Sequence, residues 1–241
     1  TPTLLPIYWD FERIEGMLLG LAIGDALGNT TESILPGTRR QRFGEIRDYL
    51  PDQYAGNRPI GVPSDDSQMA FWTLEQLLED GGLDPDHLAR KFTRQQIFGI
   101  GSTVREFLRA FKDLGHPWQQ AGQSSAGNGA LMRIAPMFIP HLRQPSPALW
   151  ADTVLAGMIT HNDRASNACC VAFIHLLWEC LRLKQAPEPT WWVNTFVSRA
   201  RELEGDTSYS SRNQALPYEG PFWRFVDREV RQALQQNWST S

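Results

Sequence analysis

Net charge, cysteine and long apolar runs are all scarce in this 241-residue chain, and each scarcity removes a class of function. Lys and Arg number 23 against 27 Asp and Glu, a formal charge of -4. No field of that sign holds a nucleic acid backbone, and Arg39-Arg40 with Arg42 is too short a basic cluster to change this. Nucleic acid is therefore not an expected partner. The three cysteines, Cys169, Cys170 and Cys180, fall in one segment, two of them adjacent. That spacing suits neither a disulfide framework nor a zinc site, so they read as small apolar residues in a reducing compartment. The longest apolar run, residues 17–23, is broken by Gly20 and is far too short to span a bilayer. The N-terminal Thr-Pro-Thr lacks a basic region followed by an apolar one, so no signal peptide is indicated. The expectation is a cytoplasmic protein without membrane attachment. Strand-like alternation bounded by hairpin turns and repeats of 20–50 residues are also missing.

Helical periodicity is what remains. Residues 13–27 carry Ile14, Met17, Leu18, Leu21 and Ala22 at spacings of three and four. Gly16, Gly20, Gly24 and Gly28 line one face; each weakens a helix, so the stripe predicts the close approach of another helix backbone. Residues 33–63 hold Pro36, Gly37, Gly44, Pro51, Gly56, Pro59, Gly61 and Pro63 and read as one long irregular loop. Ser64 then reads as the N-cap of a helix reaching about Glu79. Further helices are predicted over 86–98, 103–114, from Ala130 onward, 147–159, 165–183, 191–204 and 222–236, with a polar, turn-rich stretch at 205–220. The fold class is all-α.

Four patches carry candidate chemistry. Asp65 and Asp66, flanked by Ser64 and Ser67 at a helix start, offer hard oxygen ligands to Mg2+ or a similar ion. Acids at a helix N-terminus also serve its dipole, which is the plainer explanation. Asp25 beside Gly24 either caps a neighbouring helix or sits beneath a site, and Glu32 follows where that helix gives way to the loop. Gly127-Asn128-Gly129, ahead of Ala130 and Met132, lets backbone N–H groups converge on a phosphate or diphosphate, although Asn-Gly is also an ordinary turn and the Lys of a P-loop is missing. His161 lies between two helices, suited to stacking on a base, bonding a ribose, or capping. No Ser or Cys nucleophile motif accompanies it.

The order of these patches resembles the ADP-ribosylglycohydrolase family. Arg13 to Gly28, ending Gly24-Asp25-Ala26-Leu27-Gly28 with Glu32 following, looks like the family's opening motif. Ser64-Asp65-Asp66-Ser67 is similar to its first metal-binding motif. Gly127-Asn128-Gly129-Ala130-Leu131-Met132-Arg133 with Ala135-Pro136 is similar to its Gly-Asn-Gly…Met-Arg loop, and Thr160-His161 with Ala165 and Ala168 to the next landmark. The resemblance covers about residues 13–183 and implies one domain over 1–241, an orthogonal helical bundle around a cleft with two Mg2+ ions, or Mn2+ in their place. It implies hydrolysis of the glycosidic bond between ADP-ribose and an acceptor such as an arginine or serine side chain of an ADP-ribosylated protein. Ser64, Asp65 and Asp66 would be metal ligands, with Asp65, Asp66 and Glu32 in the catalytic centre and Glu32 at its mouth. Gly127, Asn128 and Gly129 would cradle the diphosphate and ribose, Ala130, Met132 and Asp25 would support the substrate, and His161 would lie near the adenosine. A family motif, Asp-x-Asp-Thr followed by a glycine-spaced helix, is not found. Gly205-Asp206-Thr207 leads instead into Ser208-Tyr209-Ser210-Ser211-Arg212, and the chain stops at Ser241, shortly after Trp238-Ser239-Thr240. The expectation is that a further C-terminal segment or a second chain completes the metal site; the alternative is a non-catalytic ADP-ribose-binding or scaffold protein.

Overall fold

The computed structural model describes residues 1–211 and 217–237; Arg212 and residues 238–240 lie outside them. Ten α-helices are described: α1 Glu12–Gly28, α2 Pro36–Phe43, α3 Asp65–Asp80, α4 Pro85–Lys91, α5 Ser102–Leu108, α6 Trp118–Ala121, α7 Ala148–Met158, α8 Arg164–Arg182, α9 Pro189–Glu204 and α10 Phe222–Gln235. Two short antiparallel strands, β1 Tyr209–Ser210 and β2 Glu219–Gly220, pair Tyr209 with Gly220. The all-α expectation holds, and no described helix is long and apolar enough to cross a membrane.

The longest helix, α8, shows why the bundle forms. Asp163 caps it by accepting from the backbone N–H of Ala165 and Ser166. Its apolar positions wrap most of its circumference, as in a core helix, and it packs against both α7 and α9. Trp178 on α8 is fully buried in a cluster with Ile14, Leu77, Ile134, Phe138 and Leu149, so truncating it to Ala costs about 3–5 kcal/mol. Cys169 and Cys170 are buried and free, and burial pushes their thiols up, as expected of inert apolar residues. A second cluster gathers Met69, Trp72, Leu88, Phe92, Phe107 and Ile159. Helix α3 contributes to both clusters, so its position is fixed along its length and its N-terminus is held rigidly.

Several expected elements differ, each for a local reason. The 33–63 segment contains α2, opened by Pro36 in its first turn and closed by Gly44 at φ +65°, the arrangement that proline and glycine favour at opposite helix ends. The helix expected over 86–98 stops at Lys91. The Thr93 hydroxyl bonds the Arg90 carbonyl at 2.7 Å, and Gln68 of α3 holds the following backbone, donating to Gln96 O and accepting from Phe98 N. Helix α5 continues from Arg109 to Asp113 as a π-helical turn. After Ala130 the chain forms 3₁₀ turns, Leu131–Arg133 and Ala135–His141, because Pro136 and Pro140 supply no N–H for an α-helix. The glycine stripe of α1 meets no helix among the described residues. A Cβ placed on Gly16, Gly20, Gly24 or Gly28 would find nothing within 4 Å, and Leu19 and Ile23 are exposed nearby.

Candidate active site

One cavity of about 620 Å3 draws its walls from three parts of the chain, a volume suited to a small organic ligand. Its first wall is the N-terminus of α3. Ser64 occupies the N-cap position, but its side chain makes no capping bond. The capping group comes from α1: Asp25 Oδ2 accepts from Ser64 N at 2.8 Å and Ser67 N at 3.0 Å, and Asp25 Oδ1 from Ser64 Oγ at 2.7 Å. A full carboxylate charge is the stronger acceptor for these amides. Asp25 and Ser64 therefore stand behind the wall and do not line the cavity, while Asp65, Asp66 and Glu32 do. Asp65 is 6% exposed. Burial, then the charge of Asp66, with smaller contributions from Glu32 and Asp25, raises its carboxyl to about 6. Asp66 is also raised, by burial and by Asp25. Carboxylates crowded this way repel one another unless a proton or a cation intervenes.

The second wall is the glycine loop. It is tied down by a parallel bridge in which Gln123 N bonds Thr160 O and Asn162 N bonds Gln123 O. Thr103 and Ser125 share a hydrogen bond of 3.0 Å, Gly127 N donates to Ser125 Oγ, and Met132 N donates to Asn128 O. Gly127, Asn128, Gly129, Met132 and His161 line the cavity; Ala130 is wholly buried in the core behind it. Gly129 has to be glycine for space: a Cβ there would lie 2.6 Å from Cε1 of His161. Burial, with the nearby Arg133 cation, pushes the His161 imidazole down to about 4.

The third wall was not among the candidates. Tyr209 of β1, Tyr218, and Phe222 and Phe225 of α10 close the cavity with aromatic surface. Glu204, fully buried at the end of α9, accepts from Phe222 N at 2.6 Å and Trp223 N at 2.9 Å and so fixes the start of α10. Tyr209 donates its hydroxyl to Asp163 at 2.9 Å, and burial with that carboxylate raises the phenol to about 12. Gly99 was missed as well. At φ +76° it brings its loop onto the first wall, where a Cβ would lie 3.1 Å from Asp65 Oδ1. The run Gly99-Ile100-Gly101-Ser102 was its signal in the sequence. Asp206 lines no part of the cavity, and Thr207 bonds Glu204.

No Lys or Arg is among the described lining residues, so the acidic wall has no internal counter-charge. The donors Asp65, Asp66 and Glu32 are hard oxygens of the kind Mg2+ prefers, and Mg2+ commonly needs only one or two carboxylates with water completing its shell. Their chemistry fits one such ion. A two-ion cluster needs more, and among the described residues no three His, Cys, Asp or Glu side chains converge to hold a metal.

A sequence profile of the ADP-ribosylglycohydrolase family matches residues 9–240. The chain belongs to this family. An ADP-ribosyl-[dinitrogen reductase] glycohydrolase of Rhodospirillum rubrum is 31% identical over 66% of this chain and 55% of its own length. An ADP-ribosylarginine hydrolase of Pseudomonas putida is 32% identical over 68% of this chain and 46% of its own. An ADP-ribosylhydrolase of Xenopus tropicalis is 28% identical over 86% and 60%. A solved structure described as an ADP-ribosylglycohydrolase-related protein complex superposes with a TM-score of 0.63 at 30% identity, covering 80% of this chain and 66% of that one. The chain spans about half the length of the first curated relatives it matches. Of the four candidate patches, Asp65, Asp66, Glu32, the Gly127-Asn128-Gly129 loop and His161 line the cavity, and Asp25 stands behind it.

Proposed function

We propose that this chain binds ADP-ribose in the three-walled cavity and, with Mg2+ or Mn2+ at the acidic wall, hydrolyses the bond between ADP-ribose and an acceptor, reversing ADP-ribosylation. The observation that carries this reading is the opposition of Asp65, Asp66 and Glu32 to the Gly127-Asn128-Gly129 loop across one cavity. The backbone amides of that loop suit a diphosphate, and His161 and the aromatic side chains suit a ribose and a base. A bound divalent cation would orient ribose hydroxyls, activate water and offset charge as the glycosidic bond breaks. Asp65 and Asp66 would hold it, and Glu32 at the exposed edge would accept the water's proton. Gly99 and Gln68 keep the facing loop close, which limits water around Asp65. A cytoplasmic setting, where ADP-ribosylated proteins are the partners, belongs to the same proposal, as does completion of the metal shell by a further segment or a second chain.

A second reading has one observation in its favour. The lack of three converging ligands among the described residues fits a protein that binds ADP-ribose without cleaving it. Calorimetric titration with ADP-ribose, with and without Mg2+, together with release of ADP-ribose from an ADP-ribosylated protein, separates the two. Metal-dependent release supports hydrolysis. Binding that ignores metal, with no release even beside a complementing segment, would refute it in favour of the binder.

A further inference from the structure

Arg133 is fully buried, and among the described residues it pairs with no carboxylate and its Nε and Nη1 have no hydrogen-bond partner. Its guanidinium lies 4.8 Å from the centre of the Phe92 ring. Burial pushes it down to about 10, far above neutrality, so it stays charged. A buried cation this poorly compensated is expensive, and its one well-bonded nitrogen shows what it does. Nη2 donates to Ala156 O and to Thr160 Oγ1, both at 2.9 Å.

Those two bonds decide where the Thr160 hydroxyl points. A buried helical threonine ordinarily gives its proton to the carbonyl four residues back, as Thr73 does to Met69 O at 2.8 Å and Thr153 to Leu149 O at 2.7 Å. Thr160 lies just past the end of α7, and its hydroxyl makes no such bond to Ala156 O, which accepts from Arg133 instead. Thr160 is itself fully buried, and its other hydrogen-bonding neighbour is His161 Nδ1 at 2.9 Å. Arginine can only donate, so Thr160 Oγ1 accepts from it, and the hydroxyl proton goes to Nδ1. If Nδ1 carried a proton instead, the buried hydroxyl would be left without an acceptor, a loss of about 1–3 kcal/mol.

We infer that Arg133 and Thr160 are positioning residues that lock His161 in its Nε2–H form, presenting a neutral hydrogen-bond donor to the cavity beside Gly127 and Gly129. The ring edge there lies 3.1 Å from where a Gly129 Cβ would stand, so the donor sits within the loop that faces a diphosphate. An oxygen-rich anionic ligand gains a donor at that point, and the residue acts by binding rather than by proton transfer. The site's ligand rests on the function proposed above; the tautomer does not.

The test is 15N NMR of the full chain at neutral pH. His161, one of five histidines, is identified by the loss of its signals in His161→Gln. The expected result is a single tautomer with Nε2 protonated and Nδ1 an acceptor. Thr160→Ser should preserve it. Thr160→Val, close in shape, should move the Nδ1 resonance toward that of a free imine nitrogen and weaken ADP-ribose binding about tenfold, the worth of one neutral hydrogen bond. A protonated Nδ1 in the unaltered chain, or a Thr160→Val spectrum unchanged at Nδ1, overturns the inference. Failure of every version to bind ADP-ribose counts against the proposed function, while the nitrogen resonances still decide the tautomer.

Discussion

Replacing Asp65 by Asn should make the protein more stable and less active. Asp65 is almost fully buried beside Asp66, and its carboxyl rises from 3.8 to about 6. A group whose native pKa is raised is unfavourable when ionised, so above pH 6 the charged form opposes folding. A shift of that size corresponds to roughly 3 kcal/mol. Water reaching the carboxylate through the cavity reduces this to about 1.5–3 kcal/mol. Asparagine keeps the shape and an acceptor oxygen while removing the charge. Urea unfolding at pH 7.5 in chelator should therefore show Asp65→Asn more stable by that amount. The advantage should shrink as pH falls from about 6 and vanish below the ordinary value of 3.8, once Asp65 is protonated in both native and unfolded chains. Mg2+ should restore the unaltered protein selectively, by about 1.4 kcal/mol at ten times its Kd, and ADP-ribose release should be lost in the variant. An Asp65→Asn protein less stable than the original in chelator would refute the account of a crowded acidic wall.

The other walls give their own tests. Gly129→Ala places a methyl against the His161 ring, so ADP-ribose affinity should fall at least tenfold by calorimetry with the helical content unchanged; unaltered affinity would remove the loop from the site. Asp25→Ala should cost about 1–3 kcal/mol in urea unfolding, because three donors at the start of α3 lose a charged acceptor, and an effect below 0.5 kcal/mol would contradict that role. Glu204→Ala should release the start of α10, seen as faster limited proteolysis between 205 and 222 and weaker ligand binding; Glu204→Gln, which retains one acceptor, should fall between.

The fold class was legible because helical periodicity and helix-stop signals act over short distances. The acidic pair, the glycine loop and His161 were legible as motifs in a fixed order. What escaped was whatever depended on a partner far along the chain. Ser64 looks like the cap of α3 because Ser is a good N-cap residue, yet Asp25 of α1 delivers the bond across 39 positions. Phe222 and Phe225 look like one face of an amphipathic helix, and only the Glu204 cap turns that face toward the cavity. Pro36 and Gly44 carried the signal for α2 and were outweighed by the density of turn residues around them. Pro136 and Pro140 likewise stood in view inside the segment expected to be helical.

Helix α1 shows where local reading and tertiary structure part company. A glycine every fourth residue is costly in a helix by about 1 kcal/mol each relative to Ala, and nothing in the described chain approaches Gly16, Gly20, Gly24 or Gly28 closely enough to repay that cost. Yet the same helix carries Asp25, which holds Ser64 and so sets the direction in which Asp65 and Asp66 enter the cavity. Its two faces therefore do different things: one is anchored to the acidic wall, and the other lies open beside Leu19 and Ile23. Any force that shifts α1 by an ångström moves the Asp25 carboxylate and, through three hydrogen bonds, the first turn of α3. The geometry of the acidic wall is thus coupled to α1 through Asp25 alone and not through the glycine stripe, so Asp25→Asn is expected to change Mg2+ affinity without any change in the residues that line the cavity, while Gly20→Ala, which meets open space, is expected to leave it unaltered.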